Sequence, residues 1–417
     1  MTAAAAETFD AVRKAQGEAA PWPYRDLDIG ALRSAGWRPT PVHDVVLKVH
    51  QRCNLACDYC YVYELADQSW RDRPAVMSPE VWRAAVARLA SHVRRHDLTS
   101  VRVVLHGGEP LLFGATRLGE LAAAIRAELP DTCAVDLGMQ TNGVRLDAAM
   151  IAELRRHGIR VGVSVDGVAA DHDRHRVMPN GRGSFAAVSR ALDLLRRPEH
   201  RDAYAGLLCT VAPETDPIRC YEQLLAFEPP MIDFLLPHAN WQEPPGRPGD
   251  SPTPYAEWLI RVFDRWYAES RPTRVRLFED VMALLLGGSS RSEQVGLSPS
   301  AVVVVESDGA IEQVDALKSA YAGACATGLD VRRDEFDAAL ADPGMVARQI
   351  GLAALSDECL ACPVHRVCGG GHYAHRYRAG AGFRQRSVYC ADLHGLIDHV
   401  RVRLEHDLRR MTAGRKP

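Results

Sequence analysis

Apolar and polar positions between residues 44 and 242 alternate in blocks that are typical of short buried strands and amphipathic helices. Apolar runs predict strands at 45–49, 101–105, 134–140, 160–165, 205–211 and 231–236. Apolar residues at helical spacing predict helices at about 79–95, 117–128, 147–157, 184–197 and 217–227. Short strands that alternate with helices indicate parallel βαβ units. Six units are too few for a closed eight-stranded barrel of about 250 residues, so we predict an open α/β fold, a partial (β/α)6 barrel.

The rest of the chain has weaker periodicity and divides where the composition changes. Two amphipathic helices, near 254–269 and 276–286, are expected to cap the barrel opening. Residues 300–314 predict a hairpin, and a last helix is expected from about 392 to 408. The predicted divisions are an N-terminal extension with one short helix (1–43), the barrel (44–242), a helical linker or cap (243–299), a small Cys-rich domain (300–395), and a C-terminal helix and tail (396–417).

Composition excludes several classes of partner. The chain has 417 residues, and its hydrophobic share of 47% and charged share of 25% are ordinary for a soluble globular protein. A net charge of −3 gives no electrostatic reason to expect nucleic acid. No apolar run approaches the roughly 20 residues of a membrane span, and the charged N-terminus lacks the apolar core of a secretory signal. We therefore expect a cytoplasmic protein, whose eleven cysteines favour metal ligation over disulfides.

Three cysteines, Cys53, Cys57 and Cys60, follow the first predicted strand within eight residues. This spacing lets three thiolates meet on one iron–sulfur cluster and leaves a fourth corner without a protein ligand. A structural zinc site would normally be closed by a fourth nearby Cys or His. The pattern, with Tyr59 before the last cysteine, resembles the signature of radical S-adenosylmethionine (SAM) enzymes. The resemblance implies the same partial barrel, and SAM chelating the open iron of a 4Fe–4S cluster.

Ligand-binding residues in parallel α/β folds lie beyond the C-terminal ends of the strands. After the second predicted strand comes Gly107-Gly108-Glu109-Pro110, where glycines allow a close approach and a carboxylate can receive an ammonium group. The run resembles the GGEP motif of the radical SAM family, which contacts the SAM amine.

Later strand ends carry further candidates for the SAM site. Asn142 follows the third strand, and Ser164 and Asp166 follow the fourth; each also suits a turn or a helix cap. Arg176 matches the arginine that holds the SAM carboxylate in the family, although Arg174 and His175 beside it are equally basic. The resemblance assigns Leu235, at the end of the sixth strand, to packing on adenine.

A second cysteine set is enough for one closed metal site, and zinc is the alternative to an iron–sulfur cluster. Its members are Cys359, Cys362, Cys368 and Cys390. The layout resembles the SPASM domain of peptide-modifying radical SAM enzymes, which usually holds two auxiliary clusters. Here His372 and Val314 stand where that pattern has cysteines, and both departures remove ligands of the same auxiliary cluster. We therefore expect one auxiliary 4Fe–4S cluster, and ordinary buried thiols at Cys133, Cys209, Cys220 and Cys325.

Four stretches resemble FxsB-type radical SAM/SPASM proteins more closely: 60–70, 235–241, 312–318 and 368–376. The resemblance implies that a 5′-deoxyadenosyl radical removes a Cβ hydrogen from a ribosomally made precursor peptide, with leader and core. It further implies a cross-link from an aromatic ring carbon to that Cβ atom, giving a cyclophane. The expected reductant is flavodoxin or ferredoxin.

Several alternatives remain open at this point. The enzyme could oxidise Ser or Cys, as sulfatase-maturing relatives do, or form a thioether. A protein that only binds peptides or carries electrons is the alternative outside enzymes. Asp315 lies where related enzymes place a catalytic aspartate, so it is a candidate proton acceptor, or else the cap of a helix that starts at Ala316.

Overall fold

One continuous sheet of ten strands runs through the described residues, 3–269 and 273–413, of this computed structural model. The strands are β1 (Asp44–His50), β2 (Ser100–Gly107), β3 (Ala134–Thr141), β4 (Ile159–Ser164), β5 (Tyr204–Thr210), β6 (Met231–Leu235), β7 (Arg274–Val275), β8 (Val302–Val305), β9 (Ala310–Glu312) and β10 (Ala326–Asp330). Their order is β10-β9-β8-β1-β2-β3-β4-β5-β6-β7. β1 to β6 pair in parallel and in sequence, which confirms the predicted open α/β core.

The longer helices connect the strands or pack outside them. They are α1 (Ala3–Ala19), α2 (Pro79–Arg95), α3 (Ala115–Glu128), α4 (Ala148–Arg156), α5 (Phe185–Leu195), α6 (Pro217–Leu225), α7 (Pro254–Tyr267), α8 (Arg276–Leu285) and α9 (Cys390–Ala413). Side-chain caps set several starts, since Ser78, Asp147 and Asp216 each accept a hydrogen bond from a first-turn backbone N–H. No helix in the described part of the chain has the length and apolar character that crossing a membrane requires.

Shorter helical turns fill the loops between these elements. They are Pro21–Tyr24, Ile29–Ser34, Ser69–Arg71, Pro110–Phe113, Ala169–His175, Pro198–Ala203, Asp315–Ser319, Phe336–Ala339, Pro343–Ala347, Gly351–Ala354, Asp357–Leu360, His365–Cys368 and Tyr373–Arg376. Many of them lie after residue 314, so the Cys-rich region has little regular structure of its own. Side-chain packing, hydrogen bonds and any metal centre held by its cysteines therefore determine the geometry of this region.

The N-terminal extension is more helical than predicted. Instead of one short helix it contains α1, of 17 residues, and two short helices, Pro21–Tyr24 and Ile29–Ser34. Pro21 begins a new helical turn, because proline fits the first helical position. The side chain of Gln16 donates to the carbonyl of Ala326 at 2.6 Å, so α1 covers the edge strand β10.

The two helices of the predicted cap pack against neighbouring helices and the last strands of the sheet. α8 packs against β6, β7 and α9, whereas α7 packs against α6 and α9. Their apolar faces contain Phe263 and Phe278, which are fully buried and cover the last part of the sheet. These helices therefore continue the outer helical layer, because their apolar residues need a partner surface that β6 offers.

The hairpin of the Cys-rich region belongs to the barrel sheet. β8 pairs in parallel with β1, from Asp44 opposite Val302 to Leu47 opposite Val305, and β9 returns antiparallel to β8. α9 starts at Cys390, and its residues 412–413 and the tail beyond lie outside the part whose side chains are described. The divisions at residues 300 and 396 thus cut through a sheet and a helix, and the domain scheme stays a prediction.

Candidate active site

The loop after β1 brings Cys53, Cys57 and Cys60 to the wall of one cavity of about 260 Å³, called the central cavity. The loop is tightly turned: the N–H of Cys60 donates to the carbonyl of Cys57 at 3.2 Å, and the N–H of Leu55 to Cys53 Sγ at 3.4 Å. Burial raises the pKa of Cys53 to about 12 and that of Cys57 to about 11. Thiolates at these positions therefore need a cationic partner such as iron.

Gly107 and Gly108 let the end of β2 approach the cysteine loop. A Cβ atom on Gly107, whose φ is +153°, would lie 2.1 Å from the carbonyl oxygen of His50. One on Gly108 would lie 1.9 Å from the hydroxyl of Tyr63 and 2.6 Å from the carbonyl oxygen of Arg52. Both glycines line the central cavity, so they are required by the packing of two loops around it.

Glu109 links the loops after β2 and β3. Its carboxylate is fully buried and accepts hydrogen bonds from the N–H of Leu111 at 2.9 Å, the hydroxyl of Thr141 at 2.6 Å and the N–H of Asn142 at 2.9 Å. Burial raises the pKa of Glu109 in spite of these bonds. The described contacts position the loops, and the ammonium contact expected from the sequence stays a prediction.

Arg176 is distinguished from its two basic neighbours by burial. Its guanidinium donates to the hydroxyl of Tyr59 at 2.9 Å, and that hydroxyl donates to Asp166. Arg174 and His175 instead face acidic groups at the surface. The Nε atom of Arg176 is buried without a hydrogen-bond partner, which is unusual for a charged donor. An anionic group such as an amino-acid carboxylate would satisfy it.

Three other candidates from strand ends line the same cavity. Asn142 donates to Asn54 Oδ1 at 2.9 Å and lies 3.6 Å from Cys53 Sγ. Ser164 accepts a hydrogen bond from Gln140 at 2.8 Å. Leu235 forms part of the apolar wall. The structure therefore places them around one cavity with the three cysteines, while their contacts to a cofactor stay predictions.

Asp315 does not cap a helix. The turn Asp315–Ser319 is preceded by Val314 and has no side-chain cap, so that alternative is wrong. The carboxylate instead forms an ion pair with Lys48 and accepts a hydrogen bond from the hydroxyl of Tyr61 at 2.8 Å. Burial opposes ionisation, but the adjacent Lys48 outweighs it and holds the pKa of Asp315 well below its usual range. Asp315 is therefore a carboxylate anion at neutral pH, with 15% of its side chain exposed.

The partners of Asp315 were not predicted from the sequence. Lys48 lies inside β1 and is almost fully buried, and its ammonium is 3.2 Å from Nδ1 of His106. Burial lowers the pKa of His106 to about 4. Tyr61 and His106 both line the central cavity. The lysine within the apolar run 45–49 is the signal that could have predicted a buried acidic partner, because buried lysines are rare unless they are paired.

The second cysteine set lines another cavity, of about 140 Å³, called the cysteine cavity. Cys359 lies in the short helical turn Asp357–Leu360, and Cys362 follows that turn. Cys368 ends the turn His365–Cys368, and Cys390 is the first residue of α9. Burial raises the pKa of Cys368 to about 12, so this group also requires a cation to be a thiolate. A four-thiol site fits a closed metal centre.

Val314 and His372, which stand where the SPASM pattern has cysteines, do not line the cysteine cavity. The backbone carbonyl of Val314 accepts a contact from Cys325 Sγ at 3.4 Å. His372 lies beside His238 and His375, a group called the histidine trio. Burial lowers the pKa of His238 to about 4 and that of His372 to about 3.

The remaining cysteines are buried in the protein interior, as predicted. They are Cys133, Cys209, Cys220 and Cys325.

A larger cavity of about 680 Å³, called the outer cavity, adjoins the central one. The two share Tyr59, Asp166, Thr210 and Pro237 in their walls. The outer cavity is also lined by Trp258 of α7 and by several carboxylates. A polymeric substrate could thus reach the central cavity from this side.

The sequence and the architecture are similar to those of known proteins. Residues 47–215 match the model of the Radical SAM superfamily. The structure of native anSMEcpe with bound AdoMet is similar, with a TM-score of 0.75 and 22% identity over 87% of this chain and 98% of that one. Streptococcus suis SuiB bound to precursor peptide SuiA has a TM-score of 0.56 and 13% identity, covering 87% and 78%. The chain therefore has the radical SAM α/β fold, and residues 47–215 are the part that is similar in sequence to that superfamily.

Relatives detected by sequence include anaerobic sulfatase-maturating enzymes. The serine-type enzyme of Klebsiella aerogenes is 28% identical over 362 residues, or 82% of each chain. The cysteine-type enzyme of Clostridium novyi (strain NT) is 25% identical over 272 residues, 63% of this chain and 70% of that one. The fold and these similarities are those of radical SAM enzymes. The predicted cofactors, SAM and 4Fe–4S clusters including an auxiliary one, are confirmed for this class.

Proposed function

We propose that the protein oxidises a side chain of a ribosomally made peptide and joins its Cβ atom to an aromatic ring carbon. The observation that carries the proposal is the shared cavity: the three loop cysteines, Arg176 and Tyr61, a partner of Asp315, all line it. A site for a radical initiator and a carboxylate for a released proton are thus adjacent.

The residues present fit the cofactors of a radical SAM enzyme. Cys53, Cys57 and Cys60 would hold three irons of a cluster, and Arg176, with its unpartnered Nε, would bind the SAM carboxylate. When bound, the reduced cluster and SAM supply a radical able to remove an unactivated hydrogen atom, which no amino-acid side chain supplies. Tyr59 and Asp166 hold the Arg176 side chain in place through two successive hydrogen bonds.

Asp315 has the position and charge of a proton acceptor. Cross-linking removes one hydrogen atom from Cβ, forms the C–C bond, and then removes a proton and an electron from the ring to restore aromaticity. A carboxylate whose pKa is held low by Lys48 is a weak base, so it takes protons only from a strongly acidic group. An arene that has added a carbon radical and lost an electron is such an acid.

The outer cavity supports a peptide as substrate. At about 680 Å³ it can hold several side chains, and it shares walls with the central cavity. A leader and core peptide could thus place one side chain inside while the rest stays outside. Cys359, Cys362, Cys368 and Cys390 would hold the auxiliary cluster, a suitable acceptor for the electron. Flavodoxin or ferredoxin would supply the electron that starts each turnover.

A second candidate is oxidation of a Ser or Cys side chain to an aldehyde. The sulfatase-maturating relatives favour it, because they cover most of this chain and their names specify those residue types. The cross-link and the aldehyde both begin with removal of a hydrogen atom from Cβ, and both need a proton acceptor. The two reactions differ only in what the Cβ radical does next. The absence of cysteine at His372 and Val314 separates this chain from the usual SPASM pattern but does not select between them.

Mass spectrometry of the product distinguishes the candidates. The reconstituted, reduced enzyme is incubated with SAM and a synthetic peptide that carries aromatic, Ser and Cys residues. A cross-link lowers the peptide mass by about 2 Da, gives no hydrazone with a hydrazine reagent, and keeps ring and Cβ together in fragment spectra. Trapping by hydrazine would assign Ser or Cys oxidation instead. Release of 5′-deoxyadenosine with no change in any peptide would refute both.

A further inference from the structure

Three imidazole rings meet at the edge of the central cavity, in the histidine trio defined above. His238 follows β6, whereas His372 and His375 follow the last cysteine-bearing turn. The ring centres of His372 and His375 are 5.0 Å apart, and that of His238 is 5.7 and 6.0 Å from them. Three imidazoles on one tetrahedral cation, with metal–nitrogen bonds of about 2.1 Å, have ring centres roughly 5 Å apart. The trio therefore has the dimensions of a mononuclear metal site.

The trio also lacks the hydrogen bonds that buried histidines normally make. Nδ1 of His238 and both ring nitrogens of His375 are buried without a partner. His375 is only 3% exposed, so bulk solvent reaches little of its ring. The competing contact is weak, since the N–H of Ala374 reaches Nδ1 of His372 at 3.3 Å. A metal ion would satisfy one ring nitrogen of each of the three residues.

Another group of similar composition in the described residues provides a contrast. His92, His96 and Asp337 also converge, but their polar atoms are already paired. Nε2 of His92 accepts from the N–H of Val42 at 3.0 Å, and Asp337 lies 3.1 Å from Nδ1 of His92 and 2.5 Å from Nε2 of His96. The side chains of that group hydrogen-bond to one another and to the backbone. Clustering of histidines therefore does not by itself leave ring nitrogens unpaired, as they are in the trio.

Nearby charges do not exclude a cation. Arg348 forms an ion pair with Glu293 at 2.5 Å. Arg376 donates to the backbone carbonyls of Gly369 at 2.5 Å and Gly371 at 2.7 Å, which partly offset its charge. On the other side, the Asp315 carboxylate is close enough to act electrostatically on His238.

We propose that His238, His372 and His375 bind one divalent transition-metal cation, with Zn²⁺ as the best match to three imidazole nitrogens. Three protein ligands leave a fourth position open, as in catalytic zinc sites. His238 lines the central cavity and its ring lies 4.7 Å from that of Tyr61, so water or a substrate oxygen can occupy that position.

The test uses holoenzyme whose iron–sulfur clusters have been reconstituted first, so that the cysteines are occupied. The protein is then incubated with ZnSO₄, desalted, and analysed for zinc and iron by mass spectrometry and for zinc ligands by K-edge X-ray absorption. We expect about one zinc per chain, with nitrogen or oxygen scatterers at about 2.0–2.1 Å. His372→Gln should lose this zinc and keep its iron. The matched control, His96→Gln in the other group, should keep both.

Three results would overturn the proposal. One is the absence of stoichiometric zinc in the wild-type holoenzyme, and another is zinc that persists in His372→Gln. The third is sulfur scattering at about 2.3 Å, which would place the zinc in a cysteine site. If His372→Gln does not fold, His238→Gln is used, because His238 lies outside the Cys-rich segment. None of these readouts requires peptide modification, so they are independent of the proposed reaction.

Discussion

Replacing Asp315 by Asn tests both the ion pair and the proton acceptor. Asn keeps the size of the side chain but removes the charge that pairs with Lys48, which is 2% exposed. Breaking a buried pair by removing one partner costs about 3–5 kcal/mol, because the other charge stays buried. Lys48 keeps a contact to His106 at 3.2 Å, so we expect the lower end, about 3 kcal/mol.

Adding Lys48→Met to Asp315→Asn separates the two roles. The second change removes the unpaired charge, and replacing both members of a buried pair is often close to neutral. We therefore expect the double variant to recover most of the lost stability. Product formation should nevertheless stay at least about 10²-fold below wild type in both variants, because the carboxylate is missing. Cluster content should be normal, and SAM should still be cleaved to 5′-deoxyadenosine.

The assay combines anaerobic thermal unfolding of reconstituted protein with product quantification by mass spectrometry. Leu154→Ala, in the fully buried face of α4 and distant from the cavity, controls for lost stability, since such a change costs about 2–5 kcal/mol. Wild-type turnover by the double variant would refute Asp315 as proton acceptor. A single variant as stable as wild type would refute the ion-pair argument, because it would mean that Lys48 loses its partner at no cost.

Three further predictions concern the clusters and pH. Cys57→Ala should abolish 5′-deoxyadenosine formation, whereas Cys133→Ala, a buried thiol outside both cysteine sets, should not; SAM cleavage by a folded Cys57→Ala protein would contradict the site. Cys362→Ser should lower iron from about eight to about four per chain and leave the SAM cluster, as measured by iron analysis and EPR; twelve irons in wild type would contradict a single auxiliary cluster. Burial raises the pKa of Asp342 to about 6, so the folded state favours the protonated carboxyl group. The stability that this protonated group contributes is fully present below about pH 4 and is lost as the pH rises through 6. Asp342→Asn keeps the helix cap and should raise the unfolding free energy at pH 8 by up to roughly 3 kcal/mol, and by less at pH 5; equal effects at both pH values would contradict the assignment.

The sequence alone predicted the α/β core and the two candidate sets of cysteine ligands. The strands and helices between residues 44 and 242 follow from local apolar periodicity, which depends on near neighbours and is readable along the chain. Cys53, Cys57 and Cys60 are close in sequence, so their convergence in one loop is a matter of short-range geometry. The strand-end residues could be anticipated because a parallel sheet brings its C-terminal ends to one edge.

Only the tertiary structure decided which distant groups meet. The pairing of β8 with β1 brings Asp315 to Lys48, 267 residues apart, and no local pattern encodes that contact. The same holds for His238 and His375, which meet because the segment after Cys368 packs on the loop after β6. Charges and unpaired donors depend on burial, which is a property of the packed molecule. The sequence therefore indicated the cofactors, whereas packing determined the environment of Asp315 and the histidine trio.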